Sequence, residues 1–188
     1  MHSPEIVEQH FGVIGIRKLL SRKDNPPIQI VIDSGLVPKL IKYVQQEDYP
    51  QIQLEATWCL ANIAAGNQNQ CNSIIEKGGI KIFVDLLLSK TVGVVEQAIW
   101  ALGNISCDSV NHRDSIVKNN GIQNLLVVME VARSQISTNK QIIDSIIKPI
   151  IWTLSHICRV KPLTKYETVE PILDLFSEIL KSGIADDV

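Results

Sequence analysis

The chain has 188 residues, 45% of them apolar, and its 18 Lys and Arg against 20 Asp and Glu give a formal charge of −2. That length supports one substantial core, and a chain without excess cations carries no footprint for a phosphate backbone, which excludes a nucleic-acid binder. Apolar runs such as Ile122 to Met129 are too short and interrupted to span a bilayer. The start, Met1-His-Ser-Pro-Glu5, lacks a secretion signal, so Cys59, Cys71, Cys107 and Cys158 read as reduced intracellular thiols.

The first element, Glu5 to Leu20, reads as a long helix with Gly12 and Gly15 in its middle and no Trp, which suits scaffold. Arg22-Lys-Asp24 and Glu47-Asp48 read as solvated turns. Between them lies a segment that recurs down the chain: Val31-Ile-Asp-Ser-Gly35-Leu-Val-Pro-Lys-Leu-Ile, then Ile74-Ile-Glu-Lys-Gly78-Gly-Ile-Lys-Ile-Phe-Val, then Ile116-Val-Lys-Asn-Asn120-Gly-Ile-Gln-Asn-Leu-Leu. Gly35, Gly78 and Asn120 recur at intervals of 43 and 42 residues. Gly and Asn tolerate a left-handed backbone, so this register predicts a helix end and a sharp turn.

Each unit reads as three helices, in the central copy over roughly 68–76, 80–89 and 92–106. In the last of these, Val94, Val95, Ala98, Ala101, Leu102 and Ile105 form the buried stripe, while Gln97, Trp100 and Asn104 lie on a neighbouring one. A unit this small cannot bury its apolar faces alone, and stacking copies solves the problem. The fold class is therefore all-α, a solenoid of about three and a half to four repeats. It forms one domain over 1–188, with repeats near 1–47, 48–90, 91–137 and an incomplete 138–188. The period slips once: about ten extra residues around Glu130 to Lys140 predict a loop or a longer helix start on the convex side. Pro149 should then begin or kink the third helix of that repeat.

Across the long helices runs Trp58-Cys-Leu-Ala-Asn62, then Trp100-Ala-Leu-Gly-Asn104, then Trp152-Thr-Leu-Ser-His156. Residues four apart share a helical face, so each motif sets an indole beside a polar group, and stacking turns the motifs into a ladder along a groove. One Trp alone is more often core; three in register, each followed by a polar residue, favour the groove. Packed helices stand about 8–10 Å apart and an extended peptide rises about 3.3 Å per residue, so about three peptide residues pass each repeat. Slots between facing indoles suit a long aliphatic stem with a cationic head. The amide one turn along can bond a passing main chain. Glu55, Glu96 and, better placed, Asp108 at the helix end supply acidic partners. Cys59, Cys107 and Cys158 read as small core residues. Asp108 and His112 have i, i+4 spacing, but the sequence offers no third group to complete a catalytic or metal site.

The segments Glu96-Gln-Ala-Ile-Trp100-Ala-Leu-Gly-Asn-Ile-Ser-Cys-Asp108-Ser, Thr57-Trp-Cys-Leu-Ala-Asn-Ile-Ala-Ala-Gly66-Asn and Trp152-Thr-Leu-Ser-His-Ile-Cys-Arg159 resemble the first armadillo repeats of importin alpha (karyopherin alpha), the adaptor for classical nuclear localisation signals. Arg17-Lys-Leu-Leu-Ser-Arg-Lys-Asp-Asn-Pro-Pro27 is similar to its first repeat. The resemblance covers about residues 5 to 183 and implies a right-handed armadillo superhelix. It implies that Trp58, Trp100 and Trp152 wall the major signal site, that Asn62 and Asn104 hold the peptide backbone, and that Asp108 takes the ammonium of the dominant lysine. Gly66 would offer its carbonyl nearby, and Glu96 and Gln97 would line the same groove. Two positions depart from the pattern: His156 stands where the family has Asn, and Cys71 where it often has a Thr that helps hold that lysine. A protonated His156 would repel a basic ligand, so affinity is expected to be lower and pH-dependent.

The resemblance further implies basic cargo peptides and importin beta as partners, no nucleic acid or membrane, no cofactor, and residence in cytoplasm and nucleus. The family's basic importin-beta-binding segment and its later repeats have no counterpart, and Ile184-Ala-Asp-Asp-Val188 stops inside the fourth repeat. Two classes of function follow: a receptor for nuclear-signal peptides, or an armadillo scaffold or non-delivering decoy that binds another protein. No residue constellation supports an enzyme.

Overall fold

A computed structural model describes residues 4–181, and among these every regular element is helical. The residues before and after, including the Ile184 to Val188 stretch, lie outside the described part. Eleven α-helices follow in order: α1 Pro4–Leu20, α2 Ile28–Asp33, α3 Val37–Val44, α4 Pro50–Ala64, α5 Gln68–Ile75, α6 Gly79–Leu86, α7 Val92–Asp108, α8 Val110–Lys118, α9 Gly121–Ser134, α10 Lys148–Arg159 and α11 Tyr166–Lys181. A π-helical turn, Ile143–Ile147, leads into α10. None of the described helices is long and apolar enough to cross a membrane.

The three expected corners sit where the repeat register put them. Gly35, Gly78 and Asn120 have φ of 73°, 80° and 65°. They are the left-handed residues that let a short helix stop and the next one start at once. Behind two of these corners, Gly79 and Gly121 lie hard against Ile74 and Ile116, where a Cβ would fall 2.4 Å from the isoleucine Cγ2 in each case. The turn is thus specified twice, by a backbone conformation and by a close approach.

The long helices α1, α4, α7 and α10 pack each on the next, forming one continuous row. Their facing stripes make the core: Val13 and Leu20 on α1, Ala56, Leu60 and Ile63 on α4, Val94, Ala98, Leu102 and Ile105 on α7, and Ile150, Leu154 and Ile157 on α10 are all buried. Small residues recur at these contacts and let the helices approach closely, which is how a repeat array stays in register.

The slip in the period is taken up differently from a simple loop. α9 has 14 residues where its counterpart α6 has 8, because Met129 and Ala132 continue the buried stripe beyond the shorter helix's length. The chain then turns and re-enters through the π-turn, where the Lys148 amide donates to the Ile143 carbonyl five residues back. Pro149, in the first turn of α10 as expected, explains the register change. Its ring cannot donate and clashes with the carbonyl four residues earlier, and the wider π-turn removes that clash.

Arg113, only 1% exposed, was not anticipated. Its guanidinium donates to the carbonyls of Val160 and Pro162 at 2.8 Å each and of Ile157 at 3.4 Å, and pairs with Asp114. It ties α8 to the segment between α10 and α11 through charge-assisted bonds.

Candidate functional site

The three Trp side chains stand on successive members of the long-helix row, but each is held differently. Trp100 is 45% exposed, although Ala98, Ile99, Ala101 and Leu102 around it are fully buried. An indole at that position faces out of the core. Trp152, half-buried, tilts against it, with ring centroids 5.4 Å apart at 47°. The expected slot between these two rings is therefore closed, because they touch. The reason is Gly103: a Cβ there would lie 2.1 Å from Trp152 Cζ3, so only glycine lets the ring lie over the α7 backbone.

Trp58 carries an internal cation. The Arg17 guanidinium of α1 sits 4.7 Å from the Trp58 ring centroid, and its Nε is 2.7 Å from the Glu55 carboxylate. Glu55, read from the sequence as free to meet a ligand, is thus engaged within the protein. Asn62 donates to the Ser21 hydroxyl at 3.1 Å. Asn104 and Gln97, both half-buried, have no side-chain partner among the described residues. Gly66 is half-buried beneath Gln70, whose side chain closes the capping box of α5 with Asn67. Glu96 is half-buried. It lines an apolar cavity of about 410 Å³ between α7, α9 and the π-turn, with Leu88, Val92, Val131 and Ile142.

His156 is only 8% exposed. Its ring meets Trp152 edge-on, 4.7 Å between centroids, and Nδ1 lies 2.7 Å from Arg159 Nη2. Arg159 can only donate, so Nδ1 accepts and the proton resides on Nε2. Burial, reinforced by the Arg159 charge, holds the imidazole below its ordinary pKa, so it is neutral at physiological pH. A repelling imidazolium is not present there.

Asp108 ends α7, and the next residue, Ser109, both terminates that helix and caps α8, its Oγ accepting from the His112 amide at 3.2 Å. This corner sets Asp108 Oδ2 3.3 Å from His112 Nδ1, with the two side chains 21% and 13% exposed. Both atoms are shielded from solvent and neither has a hydrogen-bond partner, the approach lacking the alignment a bond requires. The fold also supplies the third group that the spacing did not. Cys71, buried on α5, brings its Sγ so close that all three ligand-type atoms lie within 4.8 Å of one another. Burial pushes the Cys71 thiol up to about 12, and the Asp108 charge and a hydrogen bond to Asp108 add to it, so the sulfur is protonated. All four cysteines are free.

A profile of the Armadillo/beta-catenin-like repeat matches residues 24–65 and 67–107. The chain is 41% identical over 167 residues to importin subunit alpha-3 of Arabidopsis thaliana, covering 89% of this chain and 30% of that protein. It is 48% identical over 164 residues to importin subunit alpha-B of Dictyostelium discoideum, covering 87% and 30% respectively. It thus spans under a third of the length of these relatives. In three dimensions it is similar to a designed armadillo repeat protein solved in complex with the peptide (KR)4, with a TM-score of 0.73, 22% identity, and 92% of this chain and 66% of that one covered. This last likeness bears on the fold.

Proposed function

This chain is an armadillo-repeat protein related in sequence to importin alpha subunits, and from that premise we propose that it is a receptor for short, extended, lysine- and arginine-rich peptides of the nuclear-localisation-signal class. It is a binding protein and not an enzyme. The observation that carries the reading is Trp100. It is a large aromatic, 45% exposed, centred on a helix whose neighbouring residues are buried, with the free Asn104 amide one turn on and the Asp108 carboxylate one turn beyond. An indole face, a main-chain clamp and an anion in one line suit a cationic extended peptide.

In this reading Trp58, Trp100 and Trp152 contact the aliphatic stems, Asn62 and Asn104 bond the peptide backbone, and Asp108 takes the principal ammonium group. Gln97 and the Gly66 carbonyl border the same path. Arg17 over Trp58 supports it from within, since a cationic side chain already occupies an indole face beside a carboxylate. A ligand cation at that position must displace Arg17, and one between Trp100 and Trp152 must part rings that now touch. The partners are basic cargo segments, and the protein works in cytoplasm and nucleus.

The test is a fluorescence titration with a labelled basic signal peptide and the same peptide with its central lysine changed to alanine, at low and high salt. Saturable binding that weakens with salt and with the alanine peptide is expected. No binding to either peptide at low salt removes the receptor reading and leaves the scaffold one.

A further inference from the structure

We propose that Cys71, Asp108 and His112 form a transition-metal site that takes Zn²⁺ through one sulfur, one carboxylate oxygen and one ring nitrogen. The donor set is that of a borderline-soft ion: a thiolate and an imidazole select zinc over calcium or magnesium, and a carboxylate completes three protein ligands with one position open to water. The geometry is close to what the ion needs. With bonds of about 2.0 to 2.3 Å, the ligand atoms of a tetrahedral zinc stand about 3.3 to 3.7 Å apart. Asp108 Oδ2 and His112 Nδ1 are already at 3.3 Å, and Cys71 Sγ lies within the same 4.8 Å cluster.

A carboxylate oxygen and a ring nitrogen face each other, shielded from water, without a hydrogen bond to satisfy either, and such orphaned atoms are costly. A cation between them and the sulfur satisfies all three. The site is also built on fixed ground. Asn67 and Gln70 close a capping box at the start of α5, where Cys71 stands, and Ser109 caps the start of α8, where His112 stands. The partial exposure of Asp108 and His112 leaves an entry path. Binding exchanges the S–H bond of Cys71 for an S–Zn bond. The thiol proton passes to solvent, the sulfur lone pair is donated to the ion, water fills the fourth position, and nothing is oxidised or reduced.

Asp108 is also the carboxylate assigned above to the peptide's lysine, so metal and peptide compete for it. That coupling rests on the peptide-receptor reading, whereas the metal site does not. Cobalt(II) is the probe, titrated anaerobically into the full chain carrying Cys107→Ser and Cys158→Ser, which removes the two accessible thiols. One equivalent should bind with a thiolate-to-cobalt charge-transfer band and the intense visible bands of a tetrahedral centre, and Zn²⁺ should bleach both. Cys71→Ser should abolish the charge-transfer band. His112→Ala should keep the band and weaken binding at least about tenfold, since loss of a mere supporting partner already costs about 10- to 100-fold. Far-UV circular dichroism identifies any variant that fails to fold, and Cys71→Ala then serves as the second substitution. A band that survives in Cys71→Ser, or no saturable binding at millimolar cobalt, overturns the site. Given metal binding, Zn²⁺ should weaken the peptide titration in the parent chain and not in Cys71→Ser. Peptide affinity unmoved by bound Zn²⁺ overturns the coupling. A chain that binds cobalt as expected but never binds peptide upholds the metal site and defeats the receptor reading.

Discussion

Replacing Arg17 should make the protein a better receptor and a less stable fold at the same time. The guanidinium covers the Trp58 face at 4.7 Å and is anchored to Glu55 at 2.7 Å, with side-chain exposures of 20% and 15%. A cation on an indole contributes roughly 0.5 to 2 kcal/mol and a charge-assisted bond in a half-buried setting roughly 1 kcal/mol, and because one guanidinium makes both they are not additive and together contribute roughly 1 to 2 kcal/mol. A peptide cation that takes this position gives up the internal contact in exchange for its own, so the observed affinity is reduced by about 1 to 2 kcal/mol, or about 5- to 30-fold. Arg17→Met keeps the aliphatic stem against the helix row and removes the competing charge, and it leaves Glu55 free for the ligand. The expected result is peptide binding tighter by about tenfold, with urea unfolding showing a stability loss of about 1 to 2 kcal/mol. Unchanged or weaker peptide binding, with the fold intact by circular dichroism, would refute the reasoning that Trp58 is a ligand face held by an internal substitute.

Three further outcomes follow from side chains away from that face. Arg113→Ala removes the donor to the Val160 and Pro162 carbonyls and one of the two donors to the Ile157 carbonyl, and urea unfolding should show a loss of about 2 to 3 kcal/mol, the range for hydrogen bonds to a charged group. His156 has a folded pKa below its ordinary 6.5, so the unfolded chain binds the proton more readily. Its contribution is therefore intact above about pH 6.5 and is lost as the pH falls below that towards the folded value. The stability difference between pH 8 and pH 5 should accordingly be smaller in His156→Asn than in the parent chain, and an unaltered difference would remove His156 from the account. The Cys71 and Cys59 thiols, both buried and pushed up to about 12, should resist iodoacetamide at pH 7 while exposed Cys107 reacts, as read by peptide mass spectrometry.

Much of the scaffold could be read before any coordinates. The left-handed corners at Gly35, Gly78 and Asn120, and the helices around 68–76, 80–89 and 92–106, follow from a repeated pattern in which only certain residues suit a given backbone conformation. The Trp and Asn pairs were legible for the same reason, since i, i+4 spacing fixes a face. What the pattern could not carry were contacts between repeats whose side chains do not repeat. Arg17 reaching Trp58, and Cys71 meeting Asp108 and His112, join residues far apart in sequence that become neighbours only when the repeats stack. Arg113 carries no local signal, since the carbonyls it finds lie 44 to 49 residues away. The interruption expected around Glu130 to Lys140 begins only at Gln135, because buried Met129 and Ala132 hold the preceding residues in α9.

Recognition of a peptide lysine by Asp108 is tested by a double-mutant cycle between Asp108→Asn and a lysine-to-alanine change in a basic signal peptide. Four titrations at one salt concentration give the coupling between the two groups. Each single change should weaken binding about tenfold or more, and the two together should cost little beyond either alone, a coupling of about 1.5 kcal/mol or more. Strictly additive losses, with a coupling near zero, would contradict it.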